Sequence, residues 1–139
     1  MQVEVLSPSR ILAKVTASGL QVPGYLGQLG ILPGHAPMIT ELGVGILRVD
    51  KADKSPPLHF FIAGGYLEIS NDHAKVLVDV VEKPEEIDRA RVEQARARAM
   101  GRLTDTKSDI IDLGRARKAL QRADARLAFL ENIANVKMR

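Results

Sequence analysis

The sequence predicts an α+β chain in two parts: an N-terminal antiparallel β-sandwich over 1–84, then a C-terminal antiparallel two-helix hairpin over 85–139. Three observations carry this. All seven prolines lie at or before Pro84, and nine of the eleven glycines at or before Gly65. Hydrophobicity alternates with period two in the first part and takes a helical period after Pro84. Charge divides at the same place: residues 1–86 hold 7 Lys/Arg against 10 Asp/Glu, and residues 87–139 hold 13 against 7. The overall +3 describes neither half.

In the first part, Ile11, Ala13, Val15 and Ala17 alternate with Leu12, Lys14, Thr16 and Ser18, as in a half-buried strand. Ala74, Val76, Val78 and Val80 repeat the pattern. Val3-Glu4-Val5, Ile46-Leu47-Arg48-Val49 and Phe60-Phe61-Ile62 supply further short strands. Turn punctuation separates them at Pro23-Gly24, Pro33-Gly34, Gly43-Val44-Gly45, Ser55-Pro56-Pro57, Gly64-Gly65 and Asn71-Asp72. Many short strands so spaced predict a small sandwich or barrel.

Beyond it, Pro84 suits a first helical position, and Glu85, Glu86 and Asp88 put negative charge on the first turn, where the helix dipole favours it. With no glycine until Gly101, a helix of about 17 residues is expected. Thr104–Ser108 reads as a turn, and Ser108 or Asp109 caps the next helix. There Leu113, Ala116, Leu120, Ala123, Leu127, Leu130 and Ala134 form a heptad-like seam. The first helix offers Ile87, Ala90, Val92, Ala95, Ala99, Met100 and Leu103. Several of these are alanines that bury little area, so the hairpin needs a surface to dock on.

Composition removes several function classes. Without cysteine there are no disulfides, thiol nucleophiles or cysteine zinc sites. His35, His59 and His73 form no metal-ligand spacing, and His35 sits in a Gly/Pro turn where a structural role is expected. The glycines of residues 24–34 precede a strand, so no helix N-terminus cradles phosphate there. No signal peptide or membrane span is expected, and no independent catalytic site stands out. Aromatic residues are 4% of the chain, a poor base-stacking complement.

The arginines are the stronger lead. Arg115, Lys118, Arg122 and Arg126 step by 3, 4 and 4 along the second helix, and Arg91, Arg98 and Arg102 by 7 and 4 along the first. Folded together, these stripes would offer several guanidinium forks to phosphate or carboxylate. The plainer alternative is a solvated face relieved by Asp88, Glu93 and Asp124. From these residues alone, a stand-alone nucleotide-sensing module and a nucleic-acid binder both stay open.

The run Gly27-Gln-Leu-Gly-Ile-Leu-Pro-Gly-His-Ala-Pro37 resembles the signature of the bacterial ATP synthase epsilon-subunit family. Thr40-x-Leu42-x-x-Gly45, Ala63-Gly-Gly-Tyr-Leu-Glu-Ile69 and Pro84-Glu-Glu-Ile-Asp88 follow in that family's order. The resemblance implies a non-catalytic subunit of the proton-translocating complex. Its sandwich would bind the gamma subunit and c ring in the rotating central stalk, coupling proton flow to ATP synthesis. Its hairpin would be a mobile arm, folded or extended into the catalytic head to inhibit ATP hydrolysis. Gln28, Leu29 and the turn through His35 would face the c ring or gamma. Arg115 and Arg122 would meet acidic surfaces of alpha and beta. Membrane association would come through the complex only, at the cytoplasmic face of a bacterial inner membrane, with no nucleic-acid partner.

Some members of that family bind a regulatory ATP through an Ile/Leu-Asp-x-x-Arg-Ala motif. Here Ile87, Asp88 and Arg91 match it and Val92 replaces the alanine. Glu82, Arg98, Arg122 and Arg126 match the further ligand positions. No cofactor is otherwise required. The extra methyls of Val92 would crowd the site.

Overall fold

The computed structural model describes residues 1–105, 107 and 109–137. It divides into two compact units, Met1–Lys83 and Pro84–Arg139. No helix among the described residues is long and apolar enough to cross a membrane.

The first unit holds six strands: β1 (Gln2–Leu6), β2 (Ile11–Gly24), β3 (Gly27–Ile31), β4 (Met38–Lys51), β5 (Leu58–Ser70) and β6 (His73–Glu82). Their order is β1-β6-β5-β4-β2-β3, and β1 also pairs with β2, closing a ring of five strands with β3 outside it. An odd ring cannot close with every neighbour antiparallel, so one pair must run parallel. That pair is β1–β6, Gln2 opposite His73 through Leu6 opposite Leu77. The expected antiparallel sandwich thus holds one parallel seam. The closed layer encloses a core of branched side chains, among them Val3, Val5, Leu20, Leu47, Ile62 and Leu67.

Two glycine clusters read as turns instead lie inside strands. Gly43-Val44-Gly45 falls within β4 and Gly64-Gly65 within β5. Leu42 pairs with Gly65 and Val44 with Ala63 in one unbroken register, so Gly43 and Gly64 face each other across the two strands. Glycine inside a long strand marks a tight bend at a barrel corner. Gly64 and Gly65 take φ of +80° and +134°, and a Cβ on Gly65 would overlap the Leu77 carbonyl oxygen. Gly27–Ile31, treated in sequence as a loop before a strand, is itself a strand on β2.

Alternation slips where pairing slips. Ile11 is 70% exposed although Ala17 is buried, because register shifts between Val5 and Leu6, the partner of Ile11. Along β6, alternation holds to Val78 and breaks at Val80 and Val81, which lie opposite Ala63 and Ile62 beside the positive-φ Gly64. The expected turns at Asn71-Asp72 and Pro33-Gly34 are present. Asn71 and Asp72 have φ of 50° and 56°, the two-residue hairpin turn that matches strand twist. Gly34 has φ 82°, and His35 N–H donates to Leu32 O at 3.2 Å, closing a type II turn with Pro33 at its second position.

The second unit begins with a 3₁₀ turn, Pro84–Glu86, followed by α1 (Arg89–Thr104) and α2 (Ile110–Lys137). Pro84 does not open the helix. Asp88, extended at φ −89° and ψ 107°, is the N-cap, and its carboxylate accepts Arg91 N–H at 3.3 Å. The helix therefore starts five residues later than its proline suggested, and Glu85 and Glu86 lie outside its first turn. It also passes through Gly101 to Thr104. Asp109 caps α2 by accepting Asp112 N–H at 2.8 Å; Ser108 lies outside the described residues.

The helices pack through small residues, with Ala99, Ala116 and Ala123 almost wholly buried. Ala90 and Met100 are exposed, since a 3.6-residue period carries them off the stripe of Val92, Ala95, Ala99 and Leu103. Ala134 is exposed too. An ion pair between Arg96 and Asp124 at 2.6 Å fixes the antiparallel register. By that register Ala134 lies past the level of Arg89, where α1 begins, and stands level with the 3₁₀ turn instead. Phe129 and Ile133, outside the expected seam, are buried instead.

Candidate functional site: a basic flank of the helical hairpin

Arg96 and Asp124 lie on one flank of the hairpin, each about half exposed. Each step forward on α1 is a step back on α2, so Arg98 lies level with Arg122, and Arg102 with Lys118. Helical geometry at 100° per residue puts Arg91, Arg98 and Arg102 on the flank opposite Arg96. The same count puts Arg115, Arg122 and Arg126 on that flank of α2. Hence Arg91, Arg98, Arg122 and Arg126 share one side of the hairpin, with Arg115 and Arg102 nearer its tip.

Arg91, Arg98, Arg115 and Arg122 are exposed and Arg126 is half-buried. Asp124 is engaged by Arg96, and Asp88 and Asp109 are committed to caps. Like charges held level across a hairpin repel, and an anion bridging them relieves that repulsion. Planar guanidinium forks suit phosphate or carboxylate oxygens. Phe129 and Ile133 continue the row of Arg122 and Arg126 at helical spacing, so this flank is basic and apolar together. The heptad seam drew attention to the adjoining face; the 4, 3, 4 spacing of residues 122, 126, 129 and 133 was the signal for this one.

Asp88 serves as a helix cap, with one oxygen on the Arg91 amide. Ile87 precedes the helix and is half-buried, while Val92 is buried in the stripe with Ala95 and Ala99. Glu82 is the last residue of β6, opposite Phe61, in the other unit.

On the sandwich, Gln28 is exposed and Leu29 half-buried along β3. The His35 ring bonds the Ala36 carbonyl through Nδ1 at 2.7 Å, a loop-fixing contact. His59 sits opposite Arg48; burial first, and that guanidinium second, push its pKa down and favour the neutral ring. The His73 ring, Nε2 at 3.4 Å from Glu4 Oε2, holds the Glu4 carboxyl below the ordinary range. Among the described residues no group of three or more His, Cys, Asp or Glu is placed to hold a metal.

Comparison with known proteins places both units. Residues 1–84 match the family described as ATP synthase, Delta/Epsilon chain, beta-sandwich domain. Residues 85–131 match its long alpha-helix domain. The ATP synthase epsilon chain of Moorella thermoacetica is 37% identical over 127 residues, covering 91% of this chain and 93% of that one. The epsilon chain of Solibacter usitatus is 38% identical over 128 residues, covering 92% and 93%. In fold, a chain of the Euglena gracilis mitochondrial ATP synthase (OSCP/F1/c-ring) superposes with a TM-score of 0.68 at 16% identity, covering 96% of this chain and 79% of that one. A chain of the Tetrahymena thermophila mitochondrial ATP synthase central stalk and c ring does so with 0.66 at 12% identity, covering 94% and 96%.

Proposed function

Because this chain belongs to the ATP synthase delta/epsilon family, we propose that it is an epsilon-type subunit of the central stalk of an F-type ATP synthase. It has no active site of its own. The sandwich is the fixed adaptor that joins gamma to the c ring and passes torque between proton flow and ATP synthesis. The complex holds it at the cytoplasmic face of a bacterial membrane. The observation that carries this reading is the matching of both domains, in order, together with relatives of over one-third identity along more than nine-tenths of the chain. Co-purification with gamma is the test. A chain that emerges without gamma from cells making both refutes the stalk role.

The hairpin is the regulatory arm. Its two helices meet through alanines and its charge is surplus, which suits an arm that exchanges one docking surface for another. Its basic flank takes a regulatory ATP through Arg91, Arg98, Arg122 and Arg126, the nucleotide phosphates lying among their guanidinium groups. A ligand that binds one arrangement stabilises it by RT ln(1 + [L]/Kd), about 2.7 kcal/mol at a hundredfold excess over Kd. Two measurements check this arm. Deleting residues 87–139 raises ATP hydrolysis by the assembled complex, and unchanged hydrolysis removes the inhibitory role. Titration calorimetry gives heat with ATP for the native chain and weaker binding for Arg122→Ala; no heat from the native chain removes the nucleotide.

A further inference from the structure

Asp72 stands where the backbone favours another residue. Ser70 pairs with His73, so Asn71 and Asp72 are the two central residues of the β5–β6 turn. At φ 56° the second of them is a position that glycine fills without strain. Asp72 gives up that ease, and its side chain reaches out of the turn. Its Oδ1 accepts the Gly34 N–H at 2.8 Å, across 38 residues of sequence. Asp72 is itself anchored, since its carbonyl oxygen accepts the Gln2 N–H at 3.1 Å and its Oδ2 lies 3.5 Å from the Met1 ammonium. A residue that breaks a local rule and makes a contact elsewhere points to a role for that contact.

The far end of the bond is the second observation. In the turn Leu32-Pro33-Gly34-His35, the His35 N–H is used on the Leu32 carbonyl, and Pro33 has no N–H. The Gly34 N–H sits at the third position, where a type II turn offers it no acceptor. Asp72 takes this spare donor in a charge-assisted bond, the stronger kind, and the bond holds the Asp72 carboxyl below its ordinary range. No residue of 32–37 is buried, and Leu32 is 68% exposed. Packing therefore does not fix the shape of this loop; its tie to the β5–β6 turn does.

We infer that Asp72 is a positioning residue for the stalk role: its carboxylate braces the loop of residues 32–37, so that the sandwich enters the complex with this loop already in one shape. Asp72 acts through Gly34 and itself touches no partner. A loop held in place beforehand loses less conformational freedom on association, and affinity rises by that difference. The same tie stiffens a unit that has to pass force between its neighbours. The inference rests on the stalk-subunit reading.

Two variants isolate the brace. Asp72→Gly and Asp72→Asn both fit the turn and both lose the charge that faces Met1, but only Asn still offers Gly34 an oxygen. In the isolated chain, the Gly34 amide exchanges about tenfold faster in Asp72→Gly than in Asp72→Asn. Titrated onto ATP synthase stripped of this chain, Asp72→Gly binds about fivefold more weakly than the native chain, and Asp72→Asn binds like the native chain. That rescue separates positioning from a general loss of stability, which the two charge losses share. If Asp72→Gly binds like the native chain, or Asp72→Asn is weakened as much as Asp72→Gly, the inference falls and the stalk role stands. Failure of the native chain to bind the stripped complex overturns both. Should Asp72→Gly not fold, the native chain reads the brace alone: its Gly34 amide resonance moves with a carboxyl titration between pH 7 and about pH 3, and that of Asp72→Asn does not. A native Gly34 resonance that ignores this titration overturns the inference.

Discussion

The two units of this chain are held together by different means. The sandwich encloses Val3, Val5, Leu47, Val49, Ile62 and Leu67 at no exposure, each contributing about 1.5–3 kcal/mol of burial. Its ring of strands draws on residues from Met1 to Val81. The hairpin is joined through alanines, with an ion pair on one flank. A structure built on many long-range contacts between branched side chains has one arrangement. A structure built on two helices and small side chains depends on whatever it docks against. The acidic, glycine-jointed unit is therefore suited to transmit force, and the basic one to move.

The largest expected effect breaks the sandwich at its joint. Gly65→Val puts a branched side chain onto the Leu77 carbonyl at a φ of +134°. It should cost more than about 4 kcal/mol, read as loss of the cooperative urea transition. A variant that melts normally means the Gly64–Gly65 bend of β5 is not a fixed joint. Next comes Ala123→Leu, an overpacking of the helix seam expected to cost about 1–3 kcal/mol. Hydrogen exchange should quicken across 89–137 and leave the sandwich strands unchanged. If the sandwich amides quicken equally, the two units are one cooperative body and the contrast drawn above fails. Smaller again is Arg96→Ala. Arg96 and Asp124 are 43% and 50% exposed, so their pairing contributes about 0.2–1 kcal/mol. Salt should shrink that difference, since a half-exposed pair is screened.

The same contrast governs how much was legible in the sequence. Alternation found β2 and β6, short apolar stretches found β1, β4 and β5, and the Pro84 switch stands one residue from where the two units divide. The resemblance of Gly27–Pro37 matched the family found by comparison. What escaped depended on pairing. Gly43 and Gly64 look like turn residues alone, and only facing each other across β4 and β5 do they become the bend of two long strands. Ile11 leaves the core because its pairing with β1 slips by one residue at Leu12. In the hairpin, Pro84 pointed to a helix start that the Asp88 carboxylate sets five residues later. Arg98 and Arg122 could be put on stripes from spacing, but their common level follows from the Arg96–Asp124 contact. Phe129 and Ile133 lie off the heptad and went unseen for that reason.

The smallest expected effect lies in the acid limb of sandwich stability. The Gly34 N–H, 2.8 Å from Asp72 Oδ1, and then the Met1 ammonium, 3.5 Å from Oδ2, hold the Asp72 carboxyl below its ordinary range. A carboxylate whose folded pKa is depressed contributes stability that is fully present above its unfolded pKa of about 3.9. That contribution is lost as pH falls through the lower folded value. Asn fits here as a probe because it accepts the positive φ of 56° and still offers an oxygen to Gly34. Asp72→Asn should therefore be slightly less stable at neutral pH, with the two curves converging below about pH 4. The variant keeps part of the limb, because Glu4, lowered chiefly by the His73 ring, titrates in the same range. Urea midpoints at pH 7 and pH 3 measure both differences. A gap between the curves that is as wide at pH 3 as at pH 7 means that Asp72 acts through its turn geometry and not through its charge.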